Sequence, residues 1–169
     1  MSVSLVPMPA LRFPSWLEQS GAEYAADLMV LGQSRTEAER SAARGMAESF
    51  PDGKTQPGHH VFDITEDQGR VVGYLWIGAA LGGGEREWWL WDIFINEEDR
   101  HRGLGGEAMI AAEEFARGQG VASLGLSVFG FNAAARRLYD KLGYRVTSIK
   151  MAKALDANAD RGSDDAASS

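Results

Sequence analysis

No cysteine occurs among the 169 residues. That removes disulfides, thiolate metal sites and any cysteine nucleophile or cysteine acyl carrier. Proline is scarce, at five, and histidine scarcer, at three. His59 and His60 adjoin with no matching cluster of ligands, so no metal is expected. No apolar run is long enough to span a bilayer, and the N-terminus lacks a basic stretch followed by an apolar one. The simplest reading is a soluble cytoplasmic protein with no membrane partner. Positive charge is the minority: 17 Lys and Arg stand against 24 Asp and Glu, a formal net charge of −7. That argues against phosphate-backbone binding, so no nucleic-acid partner is expected. It favours cationic partners instead.

What is present describes one folded unit. A chain of this length with a hydrophobic fraction of 44% can bury a sizeable core. Residues 1–153 read as a single domain. Beyond them, residues 154–169 hold only Ala, Ser, Asp, Asn and Gly apart from Leu155 and Arg161, and read as an acidic, flexible tail. A first strand is predicted over 2–7. Residues 13–31 predict a helix, with Ser15 and Glu18 at capping-box spacing and an apolar stripe of Trp16, Leu17, Tyr24, Leu28 and Leu31. Gly32 ends it. Ser34 and Glu37 repeat the capping-box spacing and start a second helix that reaches Phe50. After a Pro- and Gly-rich loop at 51–58 come strands at 60–65, 71–77 and 87–95, with turns at 67–70 and 82–84. A helix at 103–118 is expected to bury Leu104, Ala108, Ala111 and Phe115. A strand at 121–128, a helix at 132–142 stopped by Gly143, and a last strand at 144–153 complete the chain. The order is β-α-α-β-β-β-α-β-α-β, an α+β (mixed α/β) pattern with β-α-β units in its second half.

The most informative stretch is Arg100-His101-Arg102-Gly103-Leu104-Gly105-Gly106. It follows an apolar strand and opens a helix. Such a turn leaves backbone N–H groups without helical partners, and with the helix dipole these make an anion site. Gly103 and Gly105 would let the backbone close on a phosphate where a Cβ would intrude. Arg100 and Arg102 add charge at the rim. By itself a short Gly-rich turn is equally compatible with an ordinary strand–helix connection.

The second block makes the pattern specific. It reads Asn132-Ala133-Ala134-Ala135-Arg136-Arg137-Leu138-Tyr139-Asp140-Lys141-Leu142-Gly143-Tyr144. Together the two blocks resemble the GCN5-related N-acetyltransferases, the GNAT family. Arg100, Gly103 and Gly105 match that family's acyl-CoA loop, Arg/Gln-x-x-Gly-x-Gly/Ala. The second block matches Asn-x-x-Ala-x-x-Leu-Tyr-x-Lys-Leu-Gly-Phe except at Tyr144. The close resemblance covers residues 89–153; the upstream half fits in outline. It implies a three-layer fold: a central mixed, mostly antiparallel sheet with two splayed parallel strands and helices on both faces.

The resemblance also implies a reaction, attack of an amine on the thioester of acetyl-CoA, and roles for individual residues. Arg100, His101, Arg102, Gly103, Leu104, Gly105 and Gly106 would cradle the diphosphate, largely through backbone N–H groups. Ile93, Phe94 and Ile95 would offer backbone groups to pantetheine lying as a pseudo-strand beside them, and one N–H there would polarise the thioester carbonyl. Tyr139 takes the family's general-acid position, where a phenol is protonated at neutral pH; it also suits an aromatic packed on the sheet. Asn132 takes a CoA-contacting position and is equally a good helix N-cap. The general base is open. Family members often use a Glu on one of the splayed strands, but Ser127 and Trp89 occupy those positions here. Asp92, between Trp91 and Ile93, is the leading candidate, since apolar surroundings raise a carboxyl pKa. A structural carboxylate fits the same position equally well, and Glu87, His59, His60 or a water chain are alternatives. Trp76, Trp88, Trp89 and Trp91 read first as core, with cation–π lining of an acceptor pocket as a second role.

The expected function is therefore an acetyl-CoA-dependent N-acetyltransferase working in a ternary complex. The acceptor class expected is a small primary amine. A protein N-terminus or lysine is the runner-up, and a non-catalytic acyl-CoA-binding sensor the alternative from another class. A homodimer is compatible with this reading.

Overall fold

In the computed structural model, which describes residues 2–155, the apolar runs pair into one five-stranded sheet. Its strands are β1 (Ser4–Pro7), β2 (His59–Thr65), β3 (Val71–Ala79), β4 (Glu87–Ile95) and β5 (Ser123–Leu126), in spatial order of sequence. The first four are antiparallel, and β5 lies parallel to β4. Helices α1 (Phe13–Val30) and α2 (Arg35–Ser49) follow β1, whereas α3 (Leu104–Gly118) and α4 (Ala133–Lys141) flank β5 in sequence. The three-layer mixed α/β architecture expected from the sequence is what forms.

The two faces of the sheet bury different cores. On the α3 and α4 side, Phe62, Ile64, Val72, Leu75, Ile77, Trp88 and Leu90 meet Leu104, Ala108, Met109, Ala112 and Tyr139. On the α1 side, Val61, Tyr74 and Trp76 meet Trp16 and Phe50. Small residues, Ala25 of α1 with Ala38 and Ala42 of α2, let those two helices approach around Leu28.

Local chemistry explains the ends of the helices, with one correction. Ser34 and Glu37 close a reciprocal capping box, each accepting from the other's backbone N–H at 3.3 and 3.1 Å. Ser15 and Glu18 do not. Pro14 fits the first helical turn, so α1 starts upstream at an Arg12 cap, and the Ser15 hydroxyl donates to the Arg12 carbonyl. The buried face of α1 is Trp16, Ser20, Ala25 and Leu28, whereas Tyr24 and Leu31 of the expected stripe are exposed. In α3 the buried set is Leu104, Ala108, Met109, Ala112 and Ala116, one position round from the Ala111–Phe115 pair expected.

The strand expected at 144–153 is absent. Those residues pair with no strand, and Val146, Ile149 and Met151 stand exposed. A strand needs backbone pairing along an edge, and although Arg145 and Thr147 line a groove beside β5, no backbone pairing of this segment with β5 forms. The flexible tail expected at 154–169 lies, from residue 156, outside the described residues. No helix among those described is long and apolar enough to cross a membrane.

Trp16 is the keystone of the α1-side core. It is 1% exposed, and its ring centroid lies 5.1–6.1 Å from those of Phe13, Phe50, Tyr74 and Trp76. Trp16→Ala is expected to lower stability by about 3–5 kcal/mol in urea unfolding, with an unchanged m-value. A loss below about 1 kcal/mol would mean that the aromatic cluster repacks without it.

Candidate active site

β4 carries the site because it changes partners along its length. Opposite it, β3 pairs throughout, from Gly73 with Ile95 to Ala79 with Trp88. Trp76 faces Asp92 and Ile77 faces Leu90, so Trp91 is the extra residue of a β-bulge. On its other edge β4 pairs with β5 only over four residues, ending at Leu90 with Leu126. Past that point the strands diverge. The edge of β4 carrying Ile93, Phe94 and Ile95 faces a gap with no strand beside it among the described residues. The side chains of Ile93 and Ile95 pack into the α3-side core, and Phe94 stacks on Tyr74. That leaves their backbone groups, not their side chains, along the gap.

The gap leads to the Gly-rich loop. A 3-10 turn at Glu97–Asp99 ends β4, and α3 begins at Leu104 behind a Gly103 cap. His101 and Gly103 take positive φ, 61° and 82°, which curl the loop. Gly106 and Glu107 already donate to the Gly103 carbonyl, while the first N–H groups of the helix point outward as its positive end. Arg100 donates from Nε to the Ile95 carbonyl at 3.0 Å and lies over the Phe94 ring. Arg102 does not stand free at the rim. Its guanidinium grips Asp99 and Glu66, each at 2.8 Å, and Arg70 binds the same two carboxylates. This four-residue network ties the loop to the β2–β3 turn, and the two arginines hold both carboxyls below their ordinary range. The two glycines also separate in role. A Cβ on Gly103 would meet nothing within 4 Å, on the open side, whereas one on Gly105 would face Leu138 and Ile95 at 3.6 and 3.8 Å. A Cβ on Gly105 would thus make ordinary contact with α4 and β4, on the inner side of the helix start.

Asp92 sits at the bulge, on the α1 side of the gap. The Ser20 hydroxyl of α1 donates to its carboxylate at 2.6 Å. The buried Tyr74 hydroxyl faces the same group without closing a hydrogen bond of ordinary geometry. Burial outweighs these donors, and with the nearby Glu23 charge it pushes the Asp92 pKa up to about 6. Tyr139 of α4 reaches the gap from the other face, only 8% exposed, its ring edge-on to Tyr144. Burial and the charge of Asp92 raise its pKa, so it stays protonated at neutral pH. The two candidate proton carriers lie near enough for the charge of Asp92 to act on the Tyr139 phenol.

Asn132 caps α4, its side-chain oxygen accepting from the Ala135 N–H at 3.1 Å. The alternative bases are placed elsewhere. Glu87 accepts from the Gly84 N–H and holds a turn. His59 accepts from the Trp76 indole at 3.2 Å, and burial lowers its pKa. His60 packs among Phe62, Trp88 and Phe115 on the opposite face. Ser127 is exposed just past β5. The tryptophans divide: Trp76 and Trp91 stack on the α1 side, Trp88 is in the other core, and Trp89 lies over Gly125 of β5. Sequence reading passed over Ser20 and Tyr74. The signal for Ser20 was a hydroxyl one turn after Trp16, on a face otherwise filled by apolar residues.

Comparison with known proteins gives a consistent result. The model of the acetyltransferase (GNAT) family matches residues 26–144. The N-acetyltransferase YycN of Bacillus subtilis is 30% identical over 156 residues, 92% of this chain and the whole of that one. Its crystal structure superposes with a TM-score of 0.85 over 91% of this chain and 99% of that chain, at 29% identity. YdgE, an N-acetyltransferase of the same organism, is also 30% identical over 156 residues, 92% of this chain and 99% of its own length. The PaiA N-acetyltransferase of Thermoplasma acidophilum, solved in complex with coenzyme A, shares the fold alone: 14% identity and a TM-score of 0.64 over 89% of this chain and 94% of that one.

The Asp92 environment is directly measurable. The Ser20 hydroxyl stabilises the ionised carboxylate, so its removal disfavours the charged form. Ser20→Ala is expected to move the Asp92 pKa above its value of about 6 in a carboxyl NMR titration. An unchanged or lower value would mean that Ser20 does not hold this charge.

Proposed function

This chain belongs to the acetyltransferase (GNAT) family and is an acyltransferase; from that premise we propose that it moves the acetyl group of acetyl-CoA onto a small primary amine in a ternary complex. The observation that carries the reading is the divergence of β4 from β5 after Leu90 and Leu126, which opens a backbone edge leading straight to a helix N-terminus. An extended, amide-bearing arm followed by a diphosphate fits that path: edge first, positive helix end second. Acetyl-CoA supplies an activated acyl thioester. The open side of Gly103 leaves room for phosphate oxygens, and the N–H groups of the first helical turn, with Arg100 and His101 beside them, face them.

The residues of the gap divide the proton work. An amine near pKa 10 is mostly charged at neutral pH and must lose a proton before it can attack. Asp92, with a pKa of about 6, is ionised at neutral pH yet basic enough to take that proton, directly or through a water. One N–H of the freed β4 edge polarises the carbonyl where negative charge develops. As the carbon–nitrogen bond forms and the carbon–sulfur bond breaks, Tyr139 donates its proton to the departing sulfur. The nitrogen sheds its second proton to solvent as the amide forms, and solvent exchange restores Tyr139 and takes the proton from Asp92. The stacked Trp76 and Trp91 flank Asp92 on the bulge and favour a cation there.

Two variants test the assignment against a panel of amines and lysine peptides, following thiol release. Tyr139→Phe is expected to lower kcat by about 10²-fold or more with little change in acetyl-CoA affinity, because the hydroxyl acts only as the thiolate leaves. A change below about twofold would leave Tyr139 as packing.

Asp92→Asn keeps the shape and loses the base. The wild-type acid limb of kcat/KM should fall below pH about 6, since the carboxylate is protonated there and cannot accept. In the variant that limb should flatten and the rate at neutral pH drop. A variant that loses thermal stability and keeps its pH profile would make Asp92 a structural carboxylate. Turnover of the peptides alone would move the acceptor from small amines to protein.

A further inference from the structure

Helix α1 crosses the sheet on a line fixed by two contacts. Trp16 packs on Tyr74 and Trp76 of β3, and one turn later Ser20 reaches Asp92 of β4. The following turns therefore pass beyond β4, over the open side of the gap. Glu23 and Asp27 continue the Ser20 face there, three and seven residues on. At about 1.5 Å of rise per residue they lie about 4.5 and 10.5 Å along the axis from Ser20. Glu23 is exposed and Asp27 half-buried. Helix α1 contains no Lys, Arg or His. Among the described residues no cation pairs with Glu23, Asp27 or Asp92.

This row of carboxylates repels itself. The charge of Glu23 acts on both Asp92 and the Tyr74 hydroxyl, so these groups are close. A ligand cation would offset it. A second observation points the same way. Tyr74 is only 1% exposed, and its hydroxyl faces Asp92 without a hydrogen-bond partner. Buried polar groups are normally satisfied. An ammonium at Asp92 brings three donors, enough for the carboxylate and for the oxygens of Tyr74 and Ser20. Trp16, Phe50 and Trp76 fill the space on the inner side. A linear molecule anchored at Asp92 therefore extends outward along α1, and its next polar group meets Glu23.

We propose that the acceptor is a linear diamine, its reacting amine at Asp92 and its second, charged amine held by Glu23 and Asp27. The inference rests on the small-amine reading above and narrows it. Glu23 and Asp27 hold the half of the substrate that does not react, so they act on KM more than on kcat. A monoamine of the same length follows the same path and leaves both carboxylates unpaired.

The test follows thiol release from acetyl-CoA with diaminobutane and diaminohexane, each against the monoamine of equal length. At low ionic strength kcat/KM for the diamine is expected to be about fivefold higher or more, after correction for its two ends, with the gain in KM. Added salt should shrink that advantage, because exposed charges carry it. Glu23→Gln with Asp27→Asn, on the helix surface, should bring the ratio close to unity. Equal rates for diamine and monoamine in the wild-type chain overturn the proposal and leave acetyl transfer to small amines standing. So does a preference that survives the double substitution. No thiol release with any small amine, while acetyl-CoA still binds, overturns both readings. If the variant does not fold, the wild-type data decide: a diamine preference indifferent to salt refutes the carboxylate subsite.

Discussion

Everything at the site depends on the bulge at Trp91. One extra residue in β4 twists the strand away from β5 while leaving its pairing with β3 intact. Without it, parallel pairing would continue past Leu90 and Leu126, and the backbone groups of Ile93 to Ile95 would be spent within the sheet. The bulge also sets the direction of side chains. Trp91 and Asp92 both come to the α1 side, against Trp76, Ser20 and Tyr74. Gly125 completes the arrangement, because a Cβ there would lie 2.3 Å from the Trp89 ring. The close fit of indole over glycine holds the two strands together just before they part.

The same burial that builds the gap tunes both proton carriers. Withdrawal from water disfavours the charged form of either group, so both pKa values rise. For a carboxylate the rise makes a stronger base that is still ionised at neutral pH. For a phenol it keeps the proton in place until a thiolate demands it. One environment thereby gives both groups the protonation that the proposed acid and base roles require, and the charge of Asp92 reinforces the protonation of Tyr139.

The loop that follows β4 is held by charge rather than by apolar contact. Arg70 and Arg102 share Glu66 and Asp99, and Asp99 is 2% exposed although it carries a charge. A buried carboxylate persists only when paired, and two guanidinium groups satisfy it here. The network holds the turn that leads into α3, and so keeps the positive φ of His101 and Gly103 in place. An arginine that reads in sequence as phosphate-facing serves instead as an anchor.

The sequence by itself determined the element order as far as α4, the Gly-rich turn at a helix N-terminus, the Ser34 capping box and the Asn132 cap. These are local: each depends on residues within a few positions of one another, and spacing alone reveals them. The two motif blocks likewise marked the family. Tertiary structure decided what distance in sequence conceals. It brought Ser20 to Asp92 across 72 residues and Glu66 to Arg102 across 36, and turned Gly105 toward α4. It also withheld a partner from residues 144–153, which local preference alone marks as a strand. A strand is stable only with an edge to pair with, and whether that edge exists is a property of the assembled sheet, not of the segment.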